Sequence, residues 1–236
     1  MHNLFYVPAK NISGSQISIG GHESHHIKDV LRKKQNDIIN ITDGAGNHYL
    51  VKLAIVGKKA INGQILEKRH FEPGNTINLS LAFVPIKSTR NDLIIEKGTE
   101  LGIGRFLLFA SRYSVIKGLN ISKFERLRKV AIAAMLQSQR FYLPEIRFHH
   151  NLDDLLHDFR NYELILLADK TGRQEVSPGA KSILFVVGPE GGFDECETNL
   201  LTHDGAIPLS LGPSRLRSET AAICGAVKIL SAYRAL

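Results

Sequence analysis

An uninterrupted apolar run, Phe185-Val186-Val187, leads into Gly188-Pro189-Glu190-Gly191-Gly192-Phe193, and Asp194 then opens a helix with acidic residues in its first turn. In an open α/β sheet, ligands sit beyond the carboxyl ends of the strands. Glycines at such a point let the backbone approach a ligand closely and turn amides toward it. A glycine pair on its own is more often a plain tight turn. A second segment repeats the design. Ile207-Pro208-Leu209-Ser210-Leu211-Gly212-Pro213-Ser214-Arg215-Leu216-Arg217-Ser218-Glu219-Thr220 reads as a short strand, a Gly-Pro loop and a capped helix. Two such strand ends can together wall one pocket. Neither is a known phosphate device: there is no Walker sequence and no GxGxxG opening a helix after a strand. Gly102-Ile103-Gly104 and Gly44-Ala45-Gly46 both lack the third glycine. A Rossmann-type dinucleotide or methyl-donor site is not supported.

The surrounding elements show what would position these loops. Phe71-Glu72-Pro73-Gly74-Asn75 is a strong break, and the reading places a domain boundary there, giving 1–72 and 73–236. The front part is β-rich with one helix. Residues 25–34 carry Ile27, Val30 and Leu31 on one helical face. Strands are expected over 38–42, 47–56 and 60–67, joined by Asp43-Gly44-Ala45-Gly46 and Gly57-Lys58-Lys59. In the second of them Tyr49, Val51, Leu53 and Ile55 alternate with their neighbours. Short strands and tight turns suggest a small barrel. Beyond the break, strands alternate with helices: a strand through Ile77 to Phe83, a helix from about Asn91 to Gly102, and a strand at 105–110. Ser122 and Glu125 suggest a capping box for a helix reaching about Phe141. A helix from Asn151, strands at 163–168 and 183–187, a helix capped at Asp194 and a last helix opened by Ser218 complete it. This rhythm means an α/β domain with a mainly parallel sheet.

Charge is distributed unevenly. The net charge is +7. Residues 1–75 hold ten Lys/Arg against six Asp/Glu, residues 76–150 twelve against five, and residues 151–236 eight against twelve. A basic front and an acidic rear suggest that polyanion contact and small-ligand chemistry are partly separated. Arg32, Lys33 and Lys34 fit phosphate contact beside the barrel, and Lys87, Arg90, Arg112 and Arg140 extend the same track; a solvated basic face is the plainer alternative. His22, His25 and His26 lack a nearby carboxylate or cysteine cluster, so no metal site is expected. Two cysteines are too few for a disulfide framework. No apolar stretch spans a bilayer and the first ten residues do not resemble a signal peptide, so a cytoplasmic location is expected.

Together these segments bring a family into view. The chain resembles the RsmE family, the 16S rRNA uridine N3-methyltransferases of the SPOUT superfamily. The resemblance covers almost the whole chain. It rests on His25-His26-Ile27-Lys28-Asp29-Val30-Leu31-Arg32 and Asp43-Gly44 in the front, and on Lys97-Gly98-Thr99-Glu100-Leu101-Gly102 and Gln137-Ser138-Gln139-Arg140 in the middle. Gly188 to Gly192 and Leu211-Gly212 with Leu216-Arg217-Ser218-Glu219-Thr220 complete it. The chain departs from the family at Leu136, where Glu is usual, and at Ser214, where Arg is usual and Arg215 follows.

The resemblance implies a PUA-like β-barrel followed by a SPOUT methyltransferase domain with a trefoil knot that binds S-adenosylmethionine. It implies a homodimer acting on 16S rRNA of the small ribosomal subunit, at N3 of a uridine near the decoding site. By carry-over, Leu167, Ala168, Gly188, Pro189, Glu190, Gly191, Gly192, Leu211, Gly212 and Leu216 line the cofactor pocket. The uridine N3 proton must leave for that nitrogen to act as nucleophile, which calls for a base or for a cation that stabilises the anion. Arg217 is the candidate cation. Glu219 is the candidate base, although its position also suits an ordinary helix first turn. The alternatives are a non-catalytic RNA-binding ribosome-assembly factor and a tRNA ribose methylase of the same superfamily.

Overall fold

The computed structural model describes residues 3–235 except 58–59, 75, 87–88, 113 and 115, with the side chain of His22 also outside the description. It divides into two compact units, Met1–Pro73 with Met135–Leu143, and Gly74–Ala134 with Pro144–Leu236. The segment 135–143, on the rear side of the break at Phe71–Asn75, is thus part of the front unit. Among the described residues, no helix is long and apolar enough to cross a membrane.

The front unit is a six-stranded sheet of β1 (Leu4–Tyr6), β2 (Ile12–Ser13), β3 (Gln16–Gly20), β4 (Ile38–Thr42), β5 (Asn47–Val56) and β6 (Ala60–His70). Its order is β1-β4-β5-β6-β3-β2, antiparallel except for the β1–β4 pair. Phe5 of β1 and Ile17 and Ile19 of β3 stand far apart in that order yet share one core with Ile41, Val51, Leu53 and Ile61. The sheet therefore curls on itself as an open barrel. In β5, Tyr49, Val51 and Leu53 point inward as their alternation predicts. Ile55 does not: the register shifts between Leu53 and Ile55, and Ile55 is 60% exposed. A bulge adds a residue to one strand and reverses the facing of the residues beyond it.

The helix expected over 25–34 is shifted and differently wound. It begins as α1 (Gly21–His25) and continues as a π turn over His26–Val30, with Leu31 N–H donating to the His26 carbonyl at 3.0 Å. The wider turn moves Val30 off the face of Ile27, so Val30 is exposed while Ile27 is buried. Arg32 then ends the helix with a left-handed φ of 53°. The segment 135–143 clasps the β4–β5 turn. Gly46 N–H donates to the Phe141 carbonyl and Leu143 N–H to that of Gly44, each at 2.8 Å, while the Phe71 and Phe141 rings stack at 4.5 Å.

The rear unit runs β7 (Asn78–Phe83), α2 (Arg90–Leu101), β8 (Arg105–Phe109), α3 (Ile121–Gln137), β9 (Glu145–His149), α4 (Leu152–Asp158), β10 (Leu164–Arg173), β11 (Ser182–Val187), α5 (Glu195–His203), β12 (Ile207–Leu209) and α6 (Ser218–Ala232). Its sheet is wholly parallel, in the order β12-β10-β11-β7-β8-β9. Gly102 closes α2 with φ 87°. Asn151 and Asp194 cap α4 and α5, the latter through a full capping box with Glu197. At α3 the cap is Asn120, not Ser122: the Asn120 side chain accepts from Lys123 N–H at 2.9 Å. That helix ends at Gln137 rather than Phe141, because Gln139 adopts φ 56° and the chain turns into the front unit.

Both edges of this sheet are guarded. Glu145 on the edge strand β9 pairs with Arg147 and with Arg105 of β8. The opposite edge, β12, has three residues, one of them Pro208. There β10 returns to its neighbour: β12 pairs with Leu166–Ala168 and again, after an irregularity, with Arg173. Between those contacts Gly172 lies so close to β12 that a Cβ would stand 2.4 Å from the Pro208 carbonyl carbon. The small residues of α6 also serve packing within the chain, since a Cβ on Gly225 would stand 2.2 Å from the Phe185 ring.

Candidate functional site

The strands β10, β11 and β12 are parallel, so their carboxyl ends open on one side. There the two glycine-bearing segments meet in one cavity of about 440 Å³. Its wall includes Ala168 at the end of the straight part of β10, Gly188 to Gly192 after β11, and Leu211, Gly212 and Leu216 after β12. Of the ten residues expected there, only Leu167 is absent from the wall: it is 1% exposed and packs in the core. One position earlier on a strand means the opposite face.

The sequence reading missed several lining residues. Asp169 and Lys170 continue β10 beyond Ala168, and the carboxyl-end rule applied to β10 would have found them. Phe193 and Thr198 come from the start and first turns of the α5 segment, and Ser218 and Ala221 from α6. Ser214 and Arg215, where the chain departs from its family, are also in the wall.

Side chains tie the two walls together. Ser218 Oγ donates to the Gly188 carbonyl at 3.0 Å, and Arg215 Nη2 to the Glu190 carbonyl at 2.8 Å. Lys228 Nζ reaches back to the Ser210 carbonyl at 2.8 Å. The turn itself closes through Gly192 N–H to the Pro189 carbonyl, at 2.8 Å, with φ 82° at Gly192. A Cβ built on Gly191 would meet nothing within 4 Å, so the backbone there faces open space. Lys170 and Arg215 bring positive charge to the wall, Asp169 and Glu190 negative charge.

Arg217 and Glu219 lie next to this cavity without lining it. Arg217, between the lining residues Leu216 and Ser218, is exposed, and its side chain makes no capping bond to α6. Glu219 is buried. Its Oε1 lies 3.7 Å from Arg90 Nε, while Oε2 has no hydrogen-bond partner among the described residues.

The candidate RNA contacts divide between the units. Arg32, Lys33 and Lys34 stand beyond the π turn of the front unit, with Arg32 and Lys34 exposed. Arg140 belongs to the same unit through the 135–143 segment and is half-buried, which pushes its guanidinium below the usual range. Arg90 is in the rear unit, where it donates to the Glu190 carboxylate. Lys87 lies outside the described residues.

Residues 73–230 match the model of an RNA methyltransferase domain, and residues 19–66 that of an RNA methyltransferase PUA domain. A ribosomal RNA small subunit methyltransferase E of Rickettsia conorii is 31% identical over 237 residues, covering 97% of this chain and 95% of that protein. Among solved structures, a probable rRNA-methyltransferase from Porphyromonas gingivalis is 27% identical with a TM-score of 0.88, covering 98% of each chain. A ribosomal RNA small subunit methyltransferase E from Neisseria gonorrhoeae bound to S-adenosyl methionine shares the fold at a TM-score of 0.88 and 23% identity, covering 99% of this chain and 98% of that one. With a domain model spanning most of its length and such a relative matched nearly end to end, the chain belongs to the family of ribosomal RNA small subunit methyltransferase E.

Proposed function

We propose that this protein transfers a methyl group from S-adenosylmethionine to N3 of a uridine in 16S rRNA of the small ribosomal subunit. The observation that carries this reading is the meeting of the two glycine-bearing segments in one cavity at the carboxyl ends of parallel strands. A cavity of this size suits a small-molecule ligand. Its wall also suits this one: acidic and basic groups for an ammonium and a carboxylate, and open backbone at Gly191 for close approach. Bound there, the cofactor supplies a methyl group already activated on a sulfonium.

What remains is work for the chain itself. The Gly188–Gly192 turn and the loop from Leu211 to Leu216 hold the ligand between two walls already fastened by Ser218 and Arg215. The uridine must lose its N3 proton as the new N–C bond forms. Arg217, exposed beside the cavity with no capping bond, is free to turn toward that ring and stabilise its negative charge. Glu219, buried against Arg90, is better placed to fasten α6 than to collect a proton.

The trefoil knot is part of the same proposal. Its support is the match of residues 73–230 to an RNA methyltransferase domain. The homodimer is a further part. The buried side of α6 is used within the chain, so a second copy would meet the outward residues Thr220, Cys224 and Val227. Sedimentation of Val227→Arg as monomer, against a wild-type dimer, checks this.

The deciding experiment is calorimetry with S-adenosylmethionine and no added metal, followed by methyl transfer to small-subunit rRNA with mapping of the modified atom. Gly191→Val should fold normally, because its site is open, and lose binding, because a branched side chain enters the cavity. Full affinity in the folded variant would refute the pocket assignment.

A further inference from the structure

Arg90 opens α2, and its charge first suggests an RNA contact. The structure gives it other neighbours. One guanidinium nitrogen donates to the carboxylate of Glu190, and Nε lies 3.7 Å from Oε1 of Glu219. These acids come from separate segments: Glu190 from the glycine turn in the cavity wall, Glu219 from the first turn of α6. Glu219 is 7% exposed and its Oε2 has no hydrogen-bond partner among the described residues. A buried carboxylate in that state depends on a nearby cation. An arginine flanked by two carboxylates also keeps little net field for a phosphate.

The turn has two other fastenings, and both act on its backbone: Ser218 on the Gly188 carbonyl and Arg215 on that of Glu190. Arg90 takes the side chain of Glu190 and links it to α2 and α6. We infer that Arg90 is a positioning residue for cofactor binding, holding the Gly188–Gly192 turn in place before the ligand arrives. A loop ordered in advance loses less conformational freedom on binding. The planar fork of arginine can address two carboxylates at once, and the single ammonium of lysine cannot do so equally well. This inference rests on the reading of the cavity as the S-adenosylmethionine site.

The test uses the full chain and two readouts, calorimetry with S-adenosylmethionine and RNA binding across a salt series. Arg90→Ala should weaken cofactor binding by about two- to five-fold, the upper part of the range expected when a partly exposed charge pair is removed. Arg90→Lys, which keeps a cation near the buried Glu219 and so protects the fold, should show a smaller loss. Glu190→Gln combined with Arg90→Ala should weaken binding no further than the stronger single change, because both act on one interaction. In steady-state assays the cofactor KM should rise with kcat unchanged, and the salt slope for RNA should match wild type. Wild-type cofactor affinity in Arg90→Ala would overturn the inference, as would a salt slope lower by about 0.7 to 0.9, the signature of one phosphate fewer being neutralised. A wild-type protein that fails to bind S-adenosylmethionine would overturn the cavity reading and this inference together.

Discussion

Replacing Gly172 by alanine tests the crossing of β10 and β12 with a single methyl group. That methyl carbon would stand 2.4 Å from the Pro208 carbonyl carbon, 2.5 Å from its oxygen and 2.5 Å from the Leu209 nitrogen. Ordinary contact begins at 3.4 Å, so the two backbones must separate by about 1 Å. The obstacles are main-chain atoms, which cannot swing away as a flexible side chain would. A shift of that size stretches the Ser210 N–H bond to the Arg173 carbonyl, now 2.8 Å, beyond hydrogen-bonding range. Overpacking costs about 1–3 kcal/mol, and an unsatisfied buried amide about 1–3 kcal/mol more. For a unit of this size each kcal/mol moves Tm by roughly 2–4 °C, so a drop of roughly 4–24 °C is expected. The loop from Leu211 to Leu216 comes directly after β12, so cofactor affinity should fall as well. Thermal denaturation and calorimetry of Gly172→Ala, with Gly104→Ala as the control whose Cβ meets nothing, make the measurement. An unchanged Tm and an unchanged affinity in Gly172→Ala would refute the reasoning.

Arg217→Ala should bind cofactor nearly normally and transfer methyl roughly a hundred- to a thousand-fold more slowly, with partial rescue at alkaline pH where more uridine is ionised; parallel single-turnover pH profiles for the two proteins would remove the charge-stabilising role. Arg32→Ala with Lys33→Ala should lower the slope of log K against log salt by about 0.7 to 0.9 for each phosphate no longer neutralised, and an equal slope would show that these residues only solvate the surface. Burial pushes the Glu23 carboxyl up to about 7 from 4.5, so the folded front unit holds that proton more tightly than the unfolded chain does. Its contribution to stability is present below pH 4.5 and is lost as pH rises toward 7. Denaturation of Glu23→Gln across that window should show a flatter pH dependence, and an unaltered profile would contradict the burial argument.

The rear unit is legible in the sequence because its local signals and its tertiary packing agree. Asn151 and Asp194 cap where their side chains suggest, and Gly102 stops α2. The cavity is readable from where glycines stand relative to strand ends, and thirteen of its wall residues belong to the two glycine-bearing segments visible in the sequence. Leu167, carried over together with Ala168, lies in the core because neighbouring residues of a strand face opposite sides. Other misses share a cause in backbone geometry that residue types do not announce. A π turn displaces Val30, a bulge turns Ile55 outward, and a left-handed Gln139 ends α3 early. Charge is a poor guide to partners: Arg90 and Arg32 are the same residue type, and only the fold shows that one faces two carboxylates while the other is exposed.

The guarded edges of the rear sheet decide how this molecule can associate. Three-residue β12, with Pro208 in it, offers at most two amide hydrogens to a new strand. On β9, Glu145 and Arg147 would have to leave each other and Arg105 before an uncharged strand could lie alongside. Extension of the sheet from one molecule into the next is thus blocked at both ends. Any lasting contact through this unit must be made by helix or loop surfaces. Such contacts close on a fixed number of copies when they are isologous, whereas strand addition can repeat without limit. In this unit, strand-by-strand growth from the sheet is therefore disfavoured by the edges themselves.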